Sequence, residues 1–346
     1  MLRKYYSGYI ESSGNIETNK VYIGKFFSIS FDIPRPDRRN SFIVESGTEG
    51  NTVIKQFKEA IIQTSNLENA VKASELIGAA LNLITGSVIL YNGLPTILPL
   101  SGELSREEKE LLTELIFGVT DPELGEVGKG IITIEGVLEA CKIACKASFR
   151  KTYRIALLKY QLGNYLCPVD VIDVNPFHSP YYKISPFLFD HVRLAYVIIA
   201  FYSVIEELGL EVRASTENPS FRGGRWNPTN RKELESRLKK AGLNQYELIV
   251  WNLRSTPTRI ERYLRNQGKL KPISKTSWSK GSVRDCEIEL IDAIAIVSNL
   301  RSSVSSHRFK ESVESLSIYD VSNANYLARR LLLQRLGFWK PKSNTI

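Results

Sequence analysis

The chain has 346 residues, of which 43% are hydrophobic and 24% charged, the proportions of an ordinary globular protein. No apolar run reaches the ~18–20 residues that a membrane span needs, and Met1-Leu2-Arg3-Lys4-Tyr5-Tyr6 lacks the apolar core of a secretory signal. Four cysteines at irregular spacing do not form a disulfide framework, so a cytoplasmic protein with no membrane partner is expected.

The formal net charge is +9, and it is unevenly spread. Residues 42–126 hold thirteen Asp/Glu against five Lys/Arg, a local −8. Residues 254–284 hold nine Lys/Arg against Glu261 alone, a local +8. This asymmetry fits a polyanionic partner for the basic part, the two halves docking on one another, or a solvated basic loop.

Val21 to Ile33 is rich in aromatic and β-branched residues and closes at Pro34, which predicts a strand. Ile54, Phe57 and Ile61, then Leu67, Val71, Leu76 and Leu81, recur at helical spacing and predict two helices over 51–84. Ser87 to Leu100, with Asn92-Gly93 between apolar runs, predicts a hairpin. Ser105, followed by Glu107 and Glu108, opens a helix with acid in its first turn. Glycines at 118, 125, 128 and 130 mark a loop without the spacing of a phosphate cradle. Glu135 to Tyr165 predicts one helix, in which Cys141 and Cys145 read as buried small hydrophobes rather than metal ligands.

The prolines between Val174 and Pro186 break the pattern and set the expected boundary. Beyond it, Asp190 to Leu208 predicts an apolar helix stopping at Gly209. Asn227-Pro228 is an N-cap and N1 pair for a helix ending at Gly242. Asn244 opens a short helix through Trp251, and the basic stretch follows as a loop broken by Pro257, Gly268, Pro272 and Gly281. A long apolar helix runs from Glu287 to His307, and Ser317 to Asp320 caps a last helix stopping at Gly337. The expected fold class is therefore mainly α with a smaller α+β part: a mixed α/β module over 1–180 and a helical bundle over 185–340.

The long helix finishes in Arg301-Ser302-Ser303-Val304-Ser305-Ser306-His307. Arginine offers a planar, permanent charge suited to phosphate oxygens, and histidine exchanges protons near neutral pH. Six residues at 100° each set the two side chains about 120° apart on an ideal helix. A shared site thus needs the long reach of Arg301, a helix that bends or loosens around Ser302 to Ser306, or a second copy across a two-fold axis. The structural alternative is an interhelical ion pair for Arg301 and a helix-capping role for His307.

The region 185–340 resembles a HEPN-superfamily domain, whose signature is Arg, four to six residues, then His. Arg301 and His307 match it; Leu316 to Val321 and Tyr202 to Gly209 agree around it. Many members carry Asn, Asp or His directly after the arginine, where this chain has Ser302. The resemblance implies a metal-independent endoribonuclease acting on RNA as a homodimer, with toxin or antiviral roles. In that chemistry the 2′-hydroxyl attacks the adjacent phosphorus, His307 is general acid or base, and Arg301 stabilises the phosphorane charge. No cofactor and no metal is implied. Ser302 and Glu207, beside Glu206, are the supporting candidates around Arg301. Arg259, Arg262, Arg265, Lys275, Trp278, Lys280 and Arg284 are the RNA-binding candidates, basic residues interleaved with an aromatic. The connector Arg213 to Arg225 with Trp226 suits a phosphate and a base, or a structured loop in which Trp226 covers the bundle, the reading favoured here. A non-catalytic RNA-binding, dimerisation or scaffold protein is the rival to the nuclease.

Overall fold

The computed structural model describes residues 2–12, 19–33, 45–46, 53–54, 57–86, 98–99, 105–106, 136–167, 188–213, 215, 217–219, 221–222, 225–252, 271–276, 283–302, 316 and 318–339. Among these, β1 (Arg3–Ser12), β2 (Tyr22–Ile23), β3 (Phe27–Asp32), β4 (Glu45–Ser46), β5 (Val53–Ile54) and β6 (Phe57–Thr64) precede α1 (Leu67–Thr85). β7 (Leu98–Pro99), α2 (Val137–Ser148), α3 (Lys151–Leu166), α4 (Leu188–Glu207), β8 (Phe221–Arg222) and β9 (Arg225–Trp226) follow. α5 (Pro228–Lys240), β10 (Leu248–Asn252), β11 (Lys271–Thr276), β12 (Val283–Glu289), α6 (Leu290–Leu300) and α7 (Ile318–Leu336) complete the order. The fold is mixed α+β with helix predominating. The chain divides into two compact units, residues 1–85 with 89–154 and residues 86–88 with 155–346, so the division falls inside α3. The expected boundary between Val174 and Pro186 lies outside the described residues.

In the first unit, five antiparallel strands run in the order β2-β3-β6-β1-β7, and α1 and α2 pack against them. Alternation buries Phe27, Ile29 and Phe31 of β3 under the helices. Val21 to Ile33 is thus a hairpin rather than one strand, turning where Gly24 N donates to Phe27 O at 2.8 Å. Residues 57–64 form a strand, not the expected helix. β6 lies between β3 and β1, and Glu59, Ala60, Ile61 and Ile62 are all buried, so a helix-like spacing arises in a strand covered on both faces. Gly8, at φ 78°, stands where the β1–β6 register slips, and its N–H donates to the buried Glu59 Oε1 at 2.7 Å. Glu11 of β1 accepts from Leu138 N, placing a carboxylate at the start of α2, whose N-cap Gly136 offers no side chain.

The single helix expected over 135–165 is two. Ser148 Oγ donates to Cys145 O at 2.6 Å and accepts from Lys25 N at 2.7 Å, and the chain turns at Phe149-Arg150 before α3. The hairpin expected over 87–100 lies outside the described residues apart from β7, and so do the glycines of 118–130.

In the second unit, α4 packs on α6 and α7, and the three-stranded sheet β10-β12-β11 lies against α6 and α7. This sheet corrects three expectations. Residues 248–252 are a strand rather than a helix, because Ile249 and Trp251 point inward while Leu248 and Val250 are exposed. Residues 271–276 and the start of 283–289 are strands within the stretch read as a basic loop. The helix expected from Glu287 begins at Leu290, since Glu287 and Glu289 pair with Val250 and Leu248. α7 closes the β10 edge: Asn252 N donates to Asn323 Oδ1 at 3.1 Å, and Asn323 Nδ2 donates to Asn252 O at 2.8 Å. The caps at Asn227 and Gly209 stand as expected, and Ser317 lies outside the described residues. Asn227 accepts from Thr229 N at 3.0 Å, and Gly209 takes φ 72° so that Leu210 N reaches Ile205 O at 3.0 Å.

α3 and α4 meet where Gly163 faces Phe201, and a Cβ there would lie 2.6 Å from the ring. Gly163→Ala gains up to about 1 kcal/mol of helix propensity but overpacks a filled core at about 1–3 kcal/mol. A net loss of about 1–2 kcal/mol is expected, read as a lower denaturant midpoint.

Candidate functional site

α6 is the central helix of its unit, with Leu290, Ile291, Ile294, Val297 and Leu300 at most 2% exposed. A helix apolar on every side belongs in a core. Its first donors are satisfied by backbone, Leu290 N to Glu247 O at 2.9 Å and Ile291 N to Gln245 O at 3.3 Å. At its other end Arg301 N–H donates to the carbonyls of Val297 and Ser298, and the hydrogen bonding widens to a π turn over Arg301-Ser302. The arginine is thus carried out of the core on rigid backbone and stands where the regular helix ends.

Two residues of α4, one turn apart, receive it. The Arg301 guanidinium carbon lies 5.7 Å from the centre of the Tyr202 ring. Nη2 lies 3.4 Å from Glu206 Oε1, with the side chains 39% and 37% exposed. Tyr202 is itself 2% exposed; its hydroxyl donates to Ser298 Oγ at 3.1 Å and accepts from Val212 N at 3.0 Å. Burial pushes its phenol above the ordinary range, with the bonds to Ser298 and Val212 acting the other way, so the group is a neutral donor at physiological pH.

Of the predicted site residues, Arg301 and Ser302 sit at this end of α6, Ser302 half-buried. Of the two carboxylates expected near Arg301, Glu206 lies 3.4 Å from it, while Glu207 Oε2 lies 2.9 Å from Lys159 Nζ. Neighbouring helical residues point about 100° apart, and the packing of α4 on α6 decides between them. Lys275 and Arg284 are opposite each other in the β11–β12 ladder. His307, Arg259, Arg262, Arg265, Trp278 and Lys280 lie outside the described residues. The sequence marks Tyr202 only as the start of the agreeing stretch Tyr202 to Gly209, and it does not single out Ser298. A tyrosine within the run Val197 to Ile205 is the signal that was there, because a buried phenol needs a partner.

Trp226 is 8% exposed and its indole donates to Asp292 Oδ1 at 2.9 Å, so it covers the core, as favoured from sequence. Arg231 completes that cluster, its Nη1 3.5 Å from Asp292 Oδ1, its Nη2 3.4 Å from Glu289 Oε2 and its Nε 3.1 Å from Glu235 Oε1. Arg213 of the same connector pairs with Glu211 at 2.8 Å. Cys141 and Cys145 are buried in α2; burial pushes both thiols up, that of Cys145 to about 12. Among the described residues no group of three or more His, Cys, Asp or Glu is placed to hold a metal ion, and no helix is long and apolar enough to cross a membrane.

No family model matches the chain, and comparison with curated proteins and with solved structures finds no match.

Trp226→Phe leaves the Asp292 carboxylate with a lost donor in a buried site, at an expected cost of about 1–3 kcal/mol in unfolding free energy. Cys141 and Cys145 are protonated at pH 8 and enclosed, so both are expected to resist a thiol reagent there until denaturant is added; reaction in the folded protein would contradict the burial.

Proposed function

We propose that this protein is an endoribonuclease of HEPN type, in which Arg301 and His307 act on one phosphodiester. The RNA 2′-hydroxyl attacks the adjacent phosphorus, its proton passing to His307. The bond to the 5′-oxygen breaks as that oxygen takes the proton from the His307 imidazolium, and a 2′,3′-cyclic phosphate and a 5′-hydroxyl remain. Arg301 faces the charge gathering on the phosphorane oxygens. In this reading the working form is a homodimer in the cytoplasm, two copies bringing their Arg/His pairs to one cleft, and the basic stretch 254–284 meets the RNA backbone. A toxin or defence role follows from the resemblance alone.

The observation that supports the reading is the setting of Arg301. A guanidinium is delivered by a buried helix to a position where 39% of its side chain reaches solvent. One contact favours the rival, a non-catalytic RNA-binding, dimerisation or scaffold protein: the 3.4 Å approach of Arg301 to Glu206 also makes an interhelical tie.

Incubation of total RNA with the purified protein separates the two. The nuclease reading expects fragments ending in cyclic phosphate. His307→Ala is expected to slow cleavage by about 10²–10⁴-fold and Arg301→Ala by about 10²–10³-fold, each with its helix content intact. RNA left whole by the wild-type protein would support the scaffold.

A further inference from the structure

We infer that Glu206 and Tyr202 are positioning residues for Arg301, holding its guanidinium in the orientation that meets a scissile phosphate; this rests on the ribonuclease reading. Tyr202 is 2% exposed, and its hydroxyl is tied to Ser298 of α6 and to the backbone of Val212, so neither its position nor its tilt is set by Arg301. It is a fixed plane, and the arginine lies over it at 5.7 Å.

Glu206 follows Tyr202 by one helical turn and therefore faces the same neighbour. Ring and carboxylate constrain the guanidinium in two different ways. The aromatic face limits how far the planar group swings away from α4. The carboxylate, 3.4 Å from Nη2, draws the charged end toward Glu206. Arginine has many rotamers, and a group that must stabilise a transition state loses rate when it first has to be ordered.

The exposure of the pair separates this role from a structural one. With the side chains 39% and 37% exposed, solvent screens the attraction, and its contribution to folding is small. The same contact made before substrate arrives acts on the chemical step, where preordered charge has its largest effect. Glu206 is therefore expected to matter to kcat more than to Tm.

The experiment measures cleavage of a single-stranded oligoribonucleotide by wild type, Glu206→Gln, Glu206→Asp, Arg301→Ala and the double variant Glu206→Gln with Arg301→Ala. Glu206→Gln is expected to lower kcat by about two- to fivefold with KM nearly unchanged and Tm unmoved, and Glu206→Asp to recover part of the loss. The double variant is expected to be no slower than Arg301→Ala alone, since the carboxylate acts only through the arginine. Glu206→Gln cleaving like wild type, or losses that add in the double variant, would overturn the inference while an inactive Arg301→Ala leaves the nuclease standing. A wild-type protein that cleaves nothing overturns both. Because Glu206 is partly exposed, its variants fold where Tyr202→Phe, which takes the acceptor from the buried Val212 N–H, risks the packing itself.

Discussion

The Tyr202 hydroxyl ties together the segments on which the Arg301 end of the second unit depends. It donates to Ser298 of α6 and accepts from Val212, beyond the turn at Gly209 that ends α4. A buried phenol with either bond missing would carry the cost of an unsatisfied polar group, so α4, the chain after it and α6 hold one mutual arrangement. Ser298 precedes Arg301 by three residues, less than one helical turn. Locating that serine fixes the direction in which the arginine leaves the helix.

The opposite end of α6 is held by similar means. Asp292, 1% exposed in an otherwise apolar turn, accepts from Trp226 and lies beside Arg231. Apolar packing alone leaves a smooth helix free to slide or rotate, because dispersion and burial are nearly non-directional. Polar contacts at both ends give α6 one register, and their value lies in that specificity more than in net stability. The consequence for function is a fixed lever, with the arginine at its far end.

Much of the helical part could be read in the sequence because its signals are local. Asn227-Pro228, Gly209 and the apolar period of 190–208 each act within a turn or two of themselves. The strands could not be read in the same way. Residues 248–251 become a strand through partners at 286–289, and neither segment shows the other in its own pattern. β6 imitates a helical period because both its faces are covered. At the site, Arg301 was legible as a motif residue, whereas the choice of Glu206 over Glu207 depends on how α4 is rotated against α6. That is a tertiary quantity.

The basic stretch shows why charge alone does not select a function here. Its second half is built into β11 and β12, where Lys275 stands opposite Arg284. Like charges directly opposite in a ladder cost energy, so electrostatics did not choose this register. In the neighbouring β10–β12 ladder the inward residues set the register, Cys286 and Ile288 on β12 facing the core beside Trp251 and Ile249 on β10. Any polyanion that meets these lysines and arginines releases counterions, whether or not it is then cut. Nuclease and scaffold therefore both fit the charge. The difference between them lies in whether the guanidinium on the Tyr202 ring takes part in chemistry or only joins two helices.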